Sequence, residues 1–335
     1  MRVNLLKAAK SIVKRMLRRI QQWRNVSHIK STAPTITKQQ MKADLDRLGL
    51  RPGDIVMLHS SLKSLGYVEG GSSVVIEALY EAISPGGTLI VPTYYQPGGT
   101  ILATCKMEGY FFDPRIHGTG LGALPAAFLK FPGVERSIHP THSVSAVGPK
   151  AKYVTEAHHL APSIFGDGSP WQRCVELNGK ILGLGVSMGP VTFYHLLEDM
   201  MADEFPLPVR MKEIYQLPCK DWLGRDIVVP VAPLDPEYAR RRIDTPGRDD
   251  LRDYFWREFD AAGLLTVGKV GEAVSWFIHA QPFYDHLRQL MRAGITIYST
   301  PEELGRRPVK KADAAARSVH TNNAGDNSIK TTRTE

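Results

Sequence analysis

Residues 54–92 read DIVMLHSSLKSLGYVEGGSSVVIEALYEAISPGGTLIVP, and this stretch decides the fold. Residues 54–58 are a short apolar run that reads as a buried strand and ends on the polar His59-Ser60-Ser61. After a second polar turn, Val74, Val75, Ala78, Leu79 and Ala82 recur at helical spacing. Pro85-Gly86-Gly87 stops that helix, and residues 88–92 read as the next strand. Strand, loop, helix and strand make a βαβ unit, whose crossover is expected to be right-handed. Gly70-Gly71 lets a backbone approach a ligand, and Ser72-Ser73 opens the helix with free N–H groups suited to a phosphate. The loop is neither a P-loop nor a dinucleotide fingerprint, and the same residues also make an ordinary serine-capped helix start.

Outward from this unit the pattern repeats. Residues 37–48 read as the domain's first helix and 121–130 as another, residues 145–148 are short and apolar, and 180–185 read as a buried strand. Residues 165–170 form a second glycine loop with Pro170 at a helix start. Residues 188–201 read as a helix carrying His195 and Glu198. Alternating strands, loops and helices predict an α/β fold with a mixed central sheet flanked by helices. From Phe205 onward prolines break the chain, with 227–231 as a strand and 251–262, 271–278 and 283–293 as helices.

The chain has 335 residues, 43% hydrophobic and 23% charged, as expected for a globular protein. Its net charge is +8, but nine of the 42 cations lie before residue 31. The remaining 33 balance the 34 acids, which removes the main support for a nucleic-acid partner. Residues 1–30 form a basic arm. Over 1–24, Leu5, Leu6, Ala9, Ile12, Val13, Met16, Leu17, Ile20 and Trp23 fall within an arc of about 140°. Such a helix fits an anionic membrane surface, or packs on its own domain or on a neighbouring subunit of a homodimer. It is too interrupted by charge to span a bilayer and lacks the features of a signal peptide. Residues 35–305 are the expected catalytic domain, and the polar tail over 310–335 is expected to be disordered. Cys105, Cys174 and Cys219 are isolated, which suits free thiols in a reducing, cytoplasmic setting, with the arm allowing a peripheral position at the membrane's inner face.

His139 and His142 lie three apart without a third ligand at a suitable spacing, so no metal is expected. Alone, His195 is an ordinary helical histidine. Glu198 and Asp199 share its face, with Asp203 and Glu204 beyond, so a carboxylate can orient the imidazole and an acidic patch can draw in a cation.

Four segments, 59–66, 136–143, 165–170 and 184–195, follow one another in an order that resembles the aminoglycoside 3-N-acetyltransferase family over roughly residues 38–280. The resemblance implies that family's α/β fold, distinct from the GNAT acetyltransferases, and acetyl-CoA as co-substrate. It implies that Ser60, Ser61, Leu62, Gly70, Gly71 and Ser72, with Gly66 in the same loop, hold the CoA arm and phosphates. His195 matches the catalytic general base. Which carboxylate orients it is left open; Glu198 is set with His195 as the catalytic pair. His139, Ser143, Asp167 and Asp199 are the expected acceptor-binding residues. The arm, the tail and the segment after Phe205 depart from the family pattern, and the last of these shapes the acceptor pocket. The acceptor is then a small-molecule amine: an aminoglycoside, or an amino sugar of a surface-polysaccharide or secondary-metabolite pathway. The competing readings are a CoA-binding module without turnover and a metal-dependent hydrolase built on His139 and His142.

Overall fold

The computed structural model describes residues 34–307 and 309. The amphipathic arm and the polar tail lie outside the described residues. In chain order the elements are β1 (Thr35–Ile36), α1 (Lys38–Leu48), β2 (Ile55–Ser60), β3 (Tyr67–Val68), α2 (Gly71–Ile83), β4 (Thr88–Pro92), α3 (Ile101–Cys105), α4 (Ala123–Phe128), β5 (Glu135–Arg136) and β6 (Val144–Val147). There follow α5 (Ala151–Thr155), α6 (Pro170–Glu176), β7 (Lys180–Leu184), α7 (His195–Met200), β8 (Tyr215–Lys220), β9 (Asp226–Val231), α8 (Pro236–Ala239), α9 (Asp249–Ala261), β10 (Thr266–Val270), β11 (Ala273–His279), α10 (Ala280–Arg292) and α11 (Pro301–Arg306).

Seven strands form one mixed sheet in the order β10-β11-β7-β2-β4-β6-β5. Its centre is parallel: β2 pairs with β4 through Val56–Leu89 and with β7 through Met57–Ile181. Its flanks, β11 on β7 and β6 on β4, are antiparallel. The central strands are apolar on both faces because both faces are covered. Side chains alternate along a strand. Val56 and Leu58 therefore enter one apolar layer with α1 and α2, while Met57 enters the other with Trp171, Trp276 and Phe283. Local signals set the helix ends. Thr37 and Gln40 form a reciprocal capping box at the start of α1, and Gly49 at φ +113° ends it.

Two expectations from sequence are corrected, and a third, the strand over 227–231, holds and gains a partner. Residues 271–278 are not a helix but the turn and second strand of the β10–β11 hairpin, in register from Thr266–Phe277 to Val270–Ala273. Their near-continuous apolar run mimics a buried helix, whereas the β-branched and aromatic side chains fit a strand paired on both sides better. Gly271 turns the hairpin at φ +57°, where a Cβ would come within 2.6 Å of the Leu65 carbonyl oxygen. The partner of 227–231 was concealed by the prolines: β8 pairs with β9 from Tyr215–Val231 to Lys220–Asp226, and Pro218 and Pro230 sit inside this two-stranded ribbon. Helix 188–201 is corrected as well: it is shorter, a 3₁₀ turn over Thr192–Tyr194 leading into α7 at His195.

Candidate active site

The parallel strands β4, β2 and β7 end along one edge of the sheet, where open α/β sheets place their ligands. The segment after β4 supplies Tyr94 and Gln96, and the segment after β7 runs from Gly185 to His195. With residues 99–102 and 234–244 these enclose a cavity of about 500 Å³. His195 lines it, as do His142, Tyr94 and Tyr194.

His195 is the first residue of α7, and Glu198 lies three residues on, on the same helix face. His195 Nδ1 and Glu198 Oε1 are 2.8 Å apart. A carboxylate oxygen only accepts, so the proton of the neutral imidazole sits on Nδ1 and Nε2 is left as the acceptor nitrogen. Glu198 is 3% exposed. The Tyr298 hydroxyl donates to the same oxygen at 2.7 Å, and the Arg210 guanidinium lies 3.4 Å from Oε2. Burial alone would raise the Glu198 pKa, but His195, Arg210 and Tyr298 outweigh it and hold the carboxyl below its ordinary value. Burial, followed by the Glu198 charge and hydrogen bond, pushes the Tyr298 phenol well above its ordinary value, so it remains a donor. Phe165 packs at 5.0 Å from the His195 ring, and the Arg210 guanidinium lies over the Phe165 ring at 5.4 Å.

The other sequence candidates are distributed as follows. Asp199 does not line the cavity. It accepts the Phe165 backbone N–H at 2.9 Å and pairs with Arg210 at 2.8 Å. Asp167 is exposed and also outside the lining. His139 is buried, its Nδ1 accepting the backbone N–H groups of Thr141 and His142 at 3.3 and 3.0 Å. Ser143 donates to the Thr93 carbonyl at 2.9 Å and accepts from Arg136. The turn that they brace presents His142 to the cavity instead. A smaller cleft of about 130 Å³, lined by His59, Ser60 and Val91, meets the cavity at Leu121 and Pro190, which line both. Of the residues expected to hold CoA, Ser60 lines this cleft. Ser61 and Ser64 share a hydrogen bond of 2.9 Å, and Leu62 opens the 3₁₀ turn after β2. Gly66 packs where a Cβ would lie 3.0 Å from Glu272. Gly70 caps α2 at φ +81°, while Gly71 at φ +64° and Ser72 form its first turn, and a Cβ on Gly71 would meet open space.

Tyr298 and Arg210 were not found from sequence. Arg210 lies in the segment beyond the end of α7 and Tyr298 far along the chain, both in segments with no motif, and no spacing rule reaches them. The acidic patch expected around His195 is largely neutralised: Glu198 and Asp199 share Arg210, and Glu204 pairs with Arg292 at the surface. Burial pushes the Cys174 and Cys219 thiols up to about 12 and Cys105 to about 11, so none is poised as a nucleophile. Among the described residues no group of three His, Cys, Asp or Glu side chains could hold a metal ion. No helix among them is long and apolar enough to cross a membrane.

The family model described as aminoglycoside 3-N-acetyltransferase matches residues 57–292. The chain belongs to the aminoglycoside 3-N-acetyltransferase family. An aminoglycoside N(3)-acetyltransferase III of Serratia marcescens is 33% identical over 255 residues, covering 73% of this chain and 93% of that protein. Among solved structures, the aminoglycoside acetyltransferase AAC(3)-Xa is similar with a TM-score of 0.66 at 28% identity, covering 82% of this chain and 98% of the other. The AAC-IIIb binary complex with CoASH superimposes with a TM-score of 0.65 at 25% identity, covering 80% and 100%. As a member of the aminoglycoside 3-N-acetyltransferase family, the chain is an acyltransferase on the mixed α/β sheet described above.

Proposed function

We propose that this acyltransferase moves the acetyl group of acetyl-CoA onto an amine of an aminoglycoside or a related amino sugar, with His195 as general base. The observation that carries the reading is the 2.8 Å contact between His195 Nδ1 and Glu198 Oε1 on the wall of a substrate-sized cavity. An amine attacks a thioester only through its free lone pair. His195 Nε2 takes the proton that the attacking nitrogen sheds as its bond to the acetyl carbon forms. The carbon–sulfur bond then breaks, and the proton passes from Nε2 to the departing thiolate. Glu198 fixes the ring and stabilises the imidazolium between the two steps. Transfer is direct, because the cysteines are buried, with thiols pushed up, and among the described residues no serine stands hydrogen-bonded to His195.

Ser60 and the Gly70-Gly71 loop lie toward the end of the sheet where β2 finishes and α2 begins. In this reading the smaller cleft takes the pantetheine arm and the larger cavity takes the acceptor. Thiol release from acetyl-CoA, measured with purified protein against a panel of aminoglycosides and amino sugars, tests it. Turnover that depends on both acceptor and His195 is expected, and no thiol release with any amine would overturn it.

A further inference from the structure

Gln96 stands on the cavity wall beside His142, and its amide is held in one orientation. The Thr141 carbonyl oxygen only accepts, so the amide nitrogen of Gln96 faces it and donates at 2.8 Å. The same nitrogen reaches His142 Nε2 at 3.3 Å. His142 Nε2 is therefore the acceptor nitrogen of a neutral ring, with the proton on Nδ1, 3.0 Å from Thr141 Oγ1. Burial first, and then the Arg210 charge, keep this ring neutral. With both nitrogens engaged, His142 offers the cavity neither a base nor a charge. Both hydrogens of the Gln96 amide are engaged too, while its Oε1 makes no hydrogen bond among the described residues. Asp244 is the one carboxylate among the described lining residues, and its Oδ2 accepts from Arg242 Nη2 at 2.6 Å. An ammonium group entering the cavity thus meets the fixed carbonyl dipole of Gln96 rather than a free carboxylate.

Resting on the acetyl-transfer reading above, we propose that Gln96 is a specificity-determining residue: its Oε1 accepts a hydrogen bond from a second ammonium group of a polyamine acceptor while another amine of the same molecule is acetylated at His195. A hydrogen bond from a charged donor is roughly twice as strong as a neutral one, so the site favours an acceptor with two amines over a sugar that offers Oε1 only a hydroxyl. Thr141 and His142 are positioning residues here, because they act on the acceptor by fixing which end of the amide faces it. The lock is tied to the base through one aromatic ring: the Phe165 centroid lies 4.9 Å from that of His142 and 5.0 Å from that of His195. Gln96 comes from the segment after β4, which also contributes Gly99, Thr100, Ile101 and Leu102 to the wall, whereas Ser60 and the narrower cleft lie apart from it.

The test compares Gln96→Met and Gln96→Glu in the thiol-release assay with kanamycin and with glucosamine. Both variants remove the donor to Thr141 and His142, but only glutamate keeps an oxygen for the ammonium, whether it is ionised or donates its own proton to the Thr141 carbonyl. Gln96→Met should raise the kanamycin KM by about tenfold and leave kcat, the acetyl-CoA KM and the glucosamine KM within about twofold of wild type. Gln96→Glu should hold the kanamycin KM at the wild-type value or below it. His142→Phe should raise the kanamycin KM in the wild-type background and add nothing in the Gln96→Met background, since it acts through the amide. An equal rise in KM for the methionine and glutamate variants would overturn the inference, because a residue that merely braces the turn makes no distinction between them. An unchanged kanamycin KM in Gln96→Met, or turnover of glucosamine without turnover of kanamycin, would overturn it as well and leave the acetyltransferase reading standing. Thiol release by the wild-type protein with neither these two nor any other amine of the panel would defeat both readings.

Discussion

Tyr298 donates its hydroxyl to Glu198 Oε1 at 2.7 Å from a loop one hundred residues further along the chain, and the same oxygen holds His195. The phenol therefore acts on the imidazole only through the carboxylate, as a positioning residue. A hydrogen bond to a charged group contributes about 1.5–3 kcal/mol. Tyr298→Phe should lower kcat by roughly three- to thirtyfold, with both KM values nearly unchanged. Losing the donor also raises the pH at which Glu198 takes up a proton, so the acid limb of the kcat profile should move to higher pH. A purely structural role for Tyr298 would lower stability and leave that limb in place.

His195 itself should matter more. General-base catalysis typically contributes about 10²–10⁴-fold, so His195→Ala should lose that much in kcat while calorimetric affinity for acetyl-CoA is kept. His195→Asn should be nearly as poor, since an amide can hydrogen-bond but takes no proton at this pH. If either variant keeps more than about a tenth of the wild-type kcat at saturating substrates, the base lies elsewhere.

What could be read in the sequence follows the range of the forces involved. The βαβ unit over 54–92 was legible because period, capping and chain breakers are local, and β2 and β4 do pair in parallel. The His195–Glu198 contact was legible because three residues on a helix are neighbours by geometry alone. The β10–β11 hairpin was not, because residues 273–278, apolar except for Ser275, show no clear period, and only their pairing with β7 selects the strand. Arg210 was hidden for a related reason. An arginine in the proline-broken segment after Phe205 reads as a surface cation, and its burial against Glu198 and Asp199 is a tertiary fact. The turn over 137–144 misled in detail: His139 was expected to face the acceptor, but two backbone N–H groups pull its ring inward and His142 takes the cavity.

Gly71 tests the CoA assignment. Its φ of +64° strains any β-branched residue, so Gly71→Val confounds backbone strain with ligand exclusion. Asparagine tolerates this conformation, and a side chain here would point into open space. Gly71→Asn should thus leave the thermal midpoint nearly unchanged. If CoA approaches this loop, it should raise the acetyl-CoA KM by about tenfold, the loss of one phosphate–backbone hydrogen bond. An unchanged KM would reduce Gly70-Gly71 to a helix start.

Acid should destabilise the protein before any carboxylate titrates. His158 is fully buried between Ser137 and the Ile164 carbonyl, and burial pushes its pKa down to about 3. Burial likewise takes His59 to about 4 and His139 and His142 well below the ordinary 6.5. Each stays neutral in the folded protein while the unfolded chain binds a proton below about pH 6.5. The unfolded state therefore holds more protons in this window, and stability falls as pH falls. Between pH 7.5 and 5.5 one such histidine costs about 1.4 kcal/mol, and the four together several kcal/mol. Urea denaturation at these two pH values should show the midpoint dropping at pH 5.5. In His158→Gln the midpoint should be lower at both, but the drop should shrink by roughly a quarter, since one of four such groups is gone. A midpoint that stays level or rises on acidification would mean that these rings accept protons without unfolding, and that the neutral forms fixed by their buried partners are wrong.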